Sequence, residues 1–120
     1  MIKIVISKIF PRKAVNSLVY LRSFFYKFHS LNQIDKELFR LLENRDGFYV
    51  EIGANDGISQ SNSLFFERKR SWLGVLVEPS PSTFEFLRKN RSSSNNFYNC
   101  ACVSFDHKDD FIYFYYYRIW

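Results

Sequence analysis

In the stretch YVEIGANDGISQSN, residues Tyr49 to Asn62, a run of apolar residues meets an acid, Glu51, and then two glycines, Gly53 and Gly57, with only Ala54, Asn55 and Asp56 between them. The chain has 4 glycines in all, so two of them fall in one short turn. Glycine is the residue for backbone that must turn left-handed or let another group come close. Just upstream, GFYVEIG is a short, almost continuous apolar run, the pattern of a strand buried on both faces of a parallel sheet. Just downstream, SNSLFFERKR opens with polar residues and ends with basic ones, which suits a helix and its dipole.

The same succession follows. GVLVEP, Gly74 to Pro79, is a second apolar strand stopped by an acid and a proline. In SPSTFEFLRKN, Ser80 is placed to cap a helix, Pro81 takes the favoured first helical position, and Phe84 and Leu87 face inward. After the loop RSSSNN, FYNCACVSF reads as a third strand, and FIYFYYYRIW, beyond the turn-like DHKDD, as a fourth run of β-type residues. Strand, helix, strand, helix, strand from residue 48 to about 104 is the βαβαβ unit of a doubly wound α/β sheet.

Residues 1–46 read as a helical arm, with Leu18, Leu21, Phe25 and then Ile34, Leu38, Leu41 and Leu42 at helical spacing and Asp46-Gly47 as the stop. The arm is also where the net charge of +5 resides. Before Asp35 there are Lys3, Lys8, Arg12, Lys13, Arg22 and Lys27 and no acid; the rest of the chain, with 11 basic residues against 12 acidic, is nearly neutral. That distribution argues only weakly for a nucleic-acid-binding domain, and no nucleic-acid partner is expected. In the arm, AVNSLVYLRSFFYKF is expected to pack its Leu18, Leu21 and Phe25 face on the domain, the other reading being an amphipathic helix on a membrane surface. Lysines and arginines interrupt every apolar stretch before it reaches the roughly 18 residues of a membrane span.

Cys100 and Cys102 are the only cysteines. Two apart in a strand, they share a face and make a poor disulfide, and a lone C-x-C with only His29 and His107 elsewhere falls short of a zinc site. Buried thiols in a reducing, cytoplasmic setting are expected, with no metal.

The first strand-to-helix turn of such a unit lies at the carboxyl end of the sheet, where a ligand can approach the backbone. Neither G-x-x-x-x-G-K-[ST] nor G-x-G-x-x-G is present, and Asp56 would repel phosphate, so the turn suits a cationic ligand better than a pyrophosphate. Glu51, Asp56 and Glu78 would form an acidic rim there. Glu78, 27 residues beyond Glu51, stands close to where an acid of dinucleotide folds accepts hydrogen bonds from ribose hydroxyls.

The run FYVEIGANDGISQSNSLFFERKRSWLGVLVEPSPSTFEFLRKNR, followed by NCACVS, closely resembles the FkbM-type S-adenosylmethionine-dependent methyltransferases over roughly residues 47–106. The motifs that carry the likeness are the acid-x-G-A-N-x-G turn, the SQSN after it and the E-P pair after the second strand. The resemblance implies a Rossmann-like class I methyltransferase fold binding S-adenosylmethionine. Gly53, Asn55 and Gly57 would shape the methionine side of the pocket, Glu78 would hold the ribose, Glu51 would lie near the ammonium group and Asp106 near the adenine edge. It further implies methyl transfer to an oxygen, such as a hydroxyl of a sugar or small metabolite. No residue stands out as a general base.

Two domains follow from this reading: the basic arm, 1–46, and a partial Rossmann-like methyltransferase domain, 47–120. Only one βαβαβ half is visible, so the expectation is a fragment of a longer enzyme, not competent by itself. The alternatives are a cofactor-binding remnant without activity, a nucleotide-binding dehydrogenase, which the missing G-x-G-x-x-G opposes, and a membrane-surface protein built on the arm.

Overall fold

A computed structural model of the chain describes Leu18 and residues 21–42, 45–110 and 112–113. The aromatic run from Phe111 onward, expected as a fourth strand, therefore lies outside the described residues except for Ile112 and Tyr113. So does most of the arm before Leu21.

The rest of the arm is not one helix. Residues 21–23 are helical, the chain then opens, and a 3-10 turn at Leu31–Gln33 leads into helix α1, Ile34–Leu42. Asp35 explains the entry. Its fully buried carboxylate accepts from the N–H groups of His29 (2.6 Å), Ser30 (3.2 Å) and Lys36 (2.9 Å) and from Ser30 Oγ (2.7 Å), so one side chain closes the loop and supplies negative charge to the first turn of the helix.

From residue 48 the order is β1 (Phe48–Ile52), α2 (Leu64–Arg70), β2 (Leu73–Val77), α3 (Pro81–Asn90) and β3 (Asn96–Tyr98). Both strand pairings are parallel and the spatial order is β1-β2-β3, with Val50 opposite Val75 and Leu76 opposite Phe97. The helix signals act as their chemistry predicts. Ser80 Oγ accepts from the Thr83 N–H, Pro81 occupies the first turn, and α2 ends on Arg68, Lys69 and Arg70. At the start of α2 the cap comes from Ser61, whose Oγ accepts from the Leu64 N–H at 3.1 Å.

The sheet is covered on one face. Tyr49 and Leu76 point to that face and form the core with Ala54 and with Leu87 of α3, supported by Trp72, Phe84 and Phe97. A chain of rings, Phe39 and Phe28 against Phe65, then Phe66 and Trp72, with centroids 4.7–5.3 Å apart, ties α1 and the segment before it to α2 and to the residue that leads into β2. The other face departs from expectation. Phe48, Val50 and Ile52 of β1 are 60, 62 and 64% exposed, so the strand read as buried on both sides is covered on one by the described residues.

The third strand is also shorter than the run FYNCACVSF suggested. Its last rung is the Glu78 N–H on the Tyr98 carbonyl, 3.1 Å. The next donor toward β3, the Ser80 N–H, is taken by Glu78 Oε1 at 2.9 Å, and the Asn99 side chain takes the Glu78 and Pro79 carbonyls, at 2.7 and 3.1 Å. Cys100 and Cys102 lie beyond that stop as free, exposed thiols, which corrects the expectation that they are buried.

Candidate functional site

β1 ends at Ile52, and the next two N–H groups, of Gly53 and Ala54, both donate to the Val77 carbonyl at the end of β2, at 2.8 and 2.9 Å. Two donors on one carbonyl turn the chain sharply across the carboxyl ends of the strands. Gly53 has φ +74°, and a Cβ built there would meet nothing within 4 Å. Its missing side chain thus leaves open space outside the fold. Asn55 is left-handed as well, at φ +52°, a conformation Asn accepts more readily than most residues. Gly57 has φ +80°, but a Cβ there would lie 2.7 Å from Arg91 Cγ and 2.9 Å from Leu87 Cδ1. The two glycines face opposite ways: Gly53 toward open space, Gly57 onto α3.

Glu78 is where the turn and β2 meet. Its carboxylate accepts from the Asn55 N–H through Oε2 and from the Ser80 N–H through Oε1, each at 2.9 Å, and the residue is only 8% exposed. A carboxylate has about four acceptor sites, so about two remain for donors from a ligand.

The other two acids of the expected rim are turned away. Glu51 accepts from the Asn62 N–H (2.8 Å), Ser61 Oγ (3.0 Å) and Ser63 Oγ (2.5 Å), and lies 3.3 Å from Arg91 Nη1. Asp56 folds onto its own loop, accepting from the N–H groups of Ile58 and Ser59 at 2.9 and 2.6 Å and from Ser59 Oγ at 2.8 Å. The SQSN loop supplies enough donors to satisfy Glu51 beneath the turn, so of the three acids only Glu78 is bonded to the turn's left-handed backbone. Asp106 is exposed, with its N–H on Ser104 Oγ at 3.3 Å; among the described residues no hydrogen bond joins it to Glu78 or the glycine turn.

Sequence reading missed the residue that ties these parts together. Arg91, just past α3, has a side chain with no exposed surface. Its Nε donates to Glu67 Oε2 at 2.8 Å. Nη1 reaches Glu51 Oε2 and the Gly57 carbonyl, both at 3.3 Å, and Ser61 Oγ at 3.2 Å; Nη2 reaches Tyr49 Oη and Ser63 Oγ, both at 2.9 Å. Tyr49 Oη is also 2.6 Å from Glu67 Oε2 and 2.7 Å from Asn95 Oδ1. Burial works against the charge on Arg91, but Glu67, Tyr49 and Glu51 outweigh it and raise its pKa. Burial likewise works against the Glu67 carboxylate, yet the Arg91 charge and the hydrogen bonds from Tyr49 and the Ser92 N–H hold it below the usual carboxylate range. For Tyr49 burial prevails and its pKa rises. The only sequence signals were one phenol in an apolar strand and one acid among the basic residues of α2.

A parallel βαβαβ unit with a left-handed glycine turn after its first strand and a carboxylate after its second has the layout of α/β domains that bind ligands at the carboxyl ends of their strands. The model of the methyltransferase FkbM domain matches residues 51–118, more than half of the chain, and the chain belongs to that family. No curated protein and no solved structure matches it.

Proposed function

We propose that this domain binds S-adenosylmethionine across the Gly53–Asn55 turn and transfers its methyl group to an oxygen nucleophile, a hydroxyl of a sugar or another small metabolite. Family membership supports methyl transfer. The observation that carries the cofactor reading is the Glu78 carboxylate, held 2.9 Å from the Asn55 N–H beside a left-handed Gly53 whose Cα faces open space. Its remaining acceptor sites suit the two hydroxyls of a ribose, and the bare Gly53 lets the methionine part come against the backbone. Glu51 then acts indirectly, by fixing the SQSN loop behind the turn. When bound, the cofactor supplies a methyl group already activated on a sulfonium. The chain's own part is to hold donor and acceptor in line.

Calorimetric titration of residues 1–120 with S-adenosylhomocysteine, NADH and ATP tests the cofactor. Binding of the first and not of the nucleotides is expected; the reverse result would sink the reading. Radiolabelled methyl transfer to a panel of sugars and polyols then tests the acceptor, and binding without transfer would favour a cofactor-binding remnant.

A further inference from the structure

The arm face expected to pack on the domain is turned outward: Leu18, Leu21 and Phe25 are 50, 59 and 89% exposed, while Ser23 between them is 3% exposed. Phe24, Tyr26 and Leu31 are exposed beside them. This patch is fixed to the domain by α2. Arg68 Nη1 donates to the Ser23 carbonyl and to Ser23 Oγ, at 3.3 and 3.0 Å, and its guanidinium lies 4.6 Å from the centre of the Phe24 ring. Lys27 and Lys69 line the same shallow depression as Phe24 and Tyr26.

Among the described residues, Arg22, Lys27, Arg68 and Lys69 lie on or beside the patch, and the sequence adds Lys3, Lys8, Arg12 and Lys13 upstream with no acid before Asp35. Asp35 itself is fully buried, and Glu37 is paired with Arg40 at 2.8 Å. We infer that Leu18 and residues 21–31 together with Arg68 and Lys69 form a docking surface for an anionic lipid bilayer. Exposed aromatic and leucine side chains among cations are the composition that sits at the headgroup boundary, rings and aliphatic groups in the acyl region and cations at the phosphates. A nucleic acid would use the cations and rings but has no use for Leu18, Leu21 and Leu31, and Phe25 projects outward instead of lining a groove on which a base could stack. The inference is independent of what the glycine turn binds.

Co-sedimentation of the full 120-residue chain with vesicles tests it, comparing phosphatidylcholine alone with phosphatidylcholine containing about one-third phosphatidylserine. Binding to the anionic vesicles is expected, weakened by high salt and at least about tenfold weaker on the neutral ones, since each cation near the surface contributes about fivefold. Leu21→Ser with Phe25→Ser should remove about tenfold or more, and Arg22→Glu with Lys69→Glu should remove the salt-sensitive part. All four positions are exposed, and circular dichroism checks that the variants stay folded. No association with anionic vesicles at low salt, association that ignores Leu21→Ser with Phe25→Ser, or tighter binding to single-stranded RNA than to vesicles would each overturn the proposal.

Discussion

Arg91 and Glu67 hold each other inside the protein: Nε stands 2.8 Å from Oε2, and the two side chains are 0 and 10% exposed. Removing one partner of a buried pair strands the other charge, which costs about 3–5 kcal/mol. Arg91→Met should therefore destabilise the fold by about that amount in urea titration. Arg91→Lys should fall between it and the parent, because one ammonium cannot reach Glu67, Glu51 and Tyr49 at once. Equal midpoints for all three proteins would show that the cluster contributes nothing to stability.

The two turn glycines should fail differently. At Gly53 a side chain meets no neighbour, so Gly53→Val should cost about 1–3 kcal/mol of backbone strain yet leave a folded protein whose affinity for S-adenosylhomocysteine is lost. At Gly57 even a methyl group runs into Arg91 and Leu87. Gly57→Ala should add about 1–3 kcal/mol of overpacking to its strain and act first on stability. Paired thermal melts and titrations separate the two, and the same defect at both positions would contradict the outward and inward assignment.

Glu78→Ala should weaken binding of S-adenosylhomocysteine about tenfold to a hundredfold, the worth of hydrogen bonds to a charged group at about 1.5–3 kcal/mol. It should also lower stability, since the N–H groups of Asn55 and Ser80 lose their acceptor. Glu78→Gln keeps an oxygen for one of them but sets an amide N–H against the other. Unchanged affinity in a folded Glu78→Ala protein would remove Glu78 from the ribose.

What the sequence made legible was local. Ser80-Pro81 announces a helix start whatever surrounds it, and two apolar runs ending in Glu51 and Glu78 bracket one helix as parallel strands do. What it hid depends on meetings across the fold. Tyr49, Glu67 and Arg91 are 18 and 24 positions apart, so no spacing rule pairs them, and Glu51 could not be known to face Arg91 in place of a ligand. The third strand stops where the Glu78 carboxylate takes the Ser80 N–H and the Asn99 side chain takes the Glu78 carbonyl, a fact of side chains meeting at the strand ends and not of its own β-forming residues. Apolar spacing in the arm does not say whether the residues face core or surroundings, and here Leu18, Leu21 and Phe25 are exposed while Ser23 takes the buried place.

The buried cluster also makes stability depend on pH. Glu67 titrates below the ordinary carboxylate range once folded, despite burial, because of Arg91 and the hydrogen bonds from Tyr49 and Ser92. A lowered carboxylate pKa means that the unfolded chain takes up the proton first, so this stabilisation is complete above the unfolded value of about 4.3 and is lost as pH falls through the folded one. Tyr49 acts at the other end. Burial raises its pKa, so the folded chain keeps its phenol proton longest, and that contribution, intact below about pH 10, fades as pH rises further. Urea midpoints measured across the range should hold level near neutrality and fall on both sides. Glu67→Gln should flatten the acid limb relative to the parent, and Tyr49→Phe the alkaline limb, each at a lower overall midpoint because a hydrogen bond of the cluster is gone. An acid limb as steep in Glu67→Gln as in the parent would mean that other carboxylates govern acid unfolding and that the Arg91 cluster is silent in it.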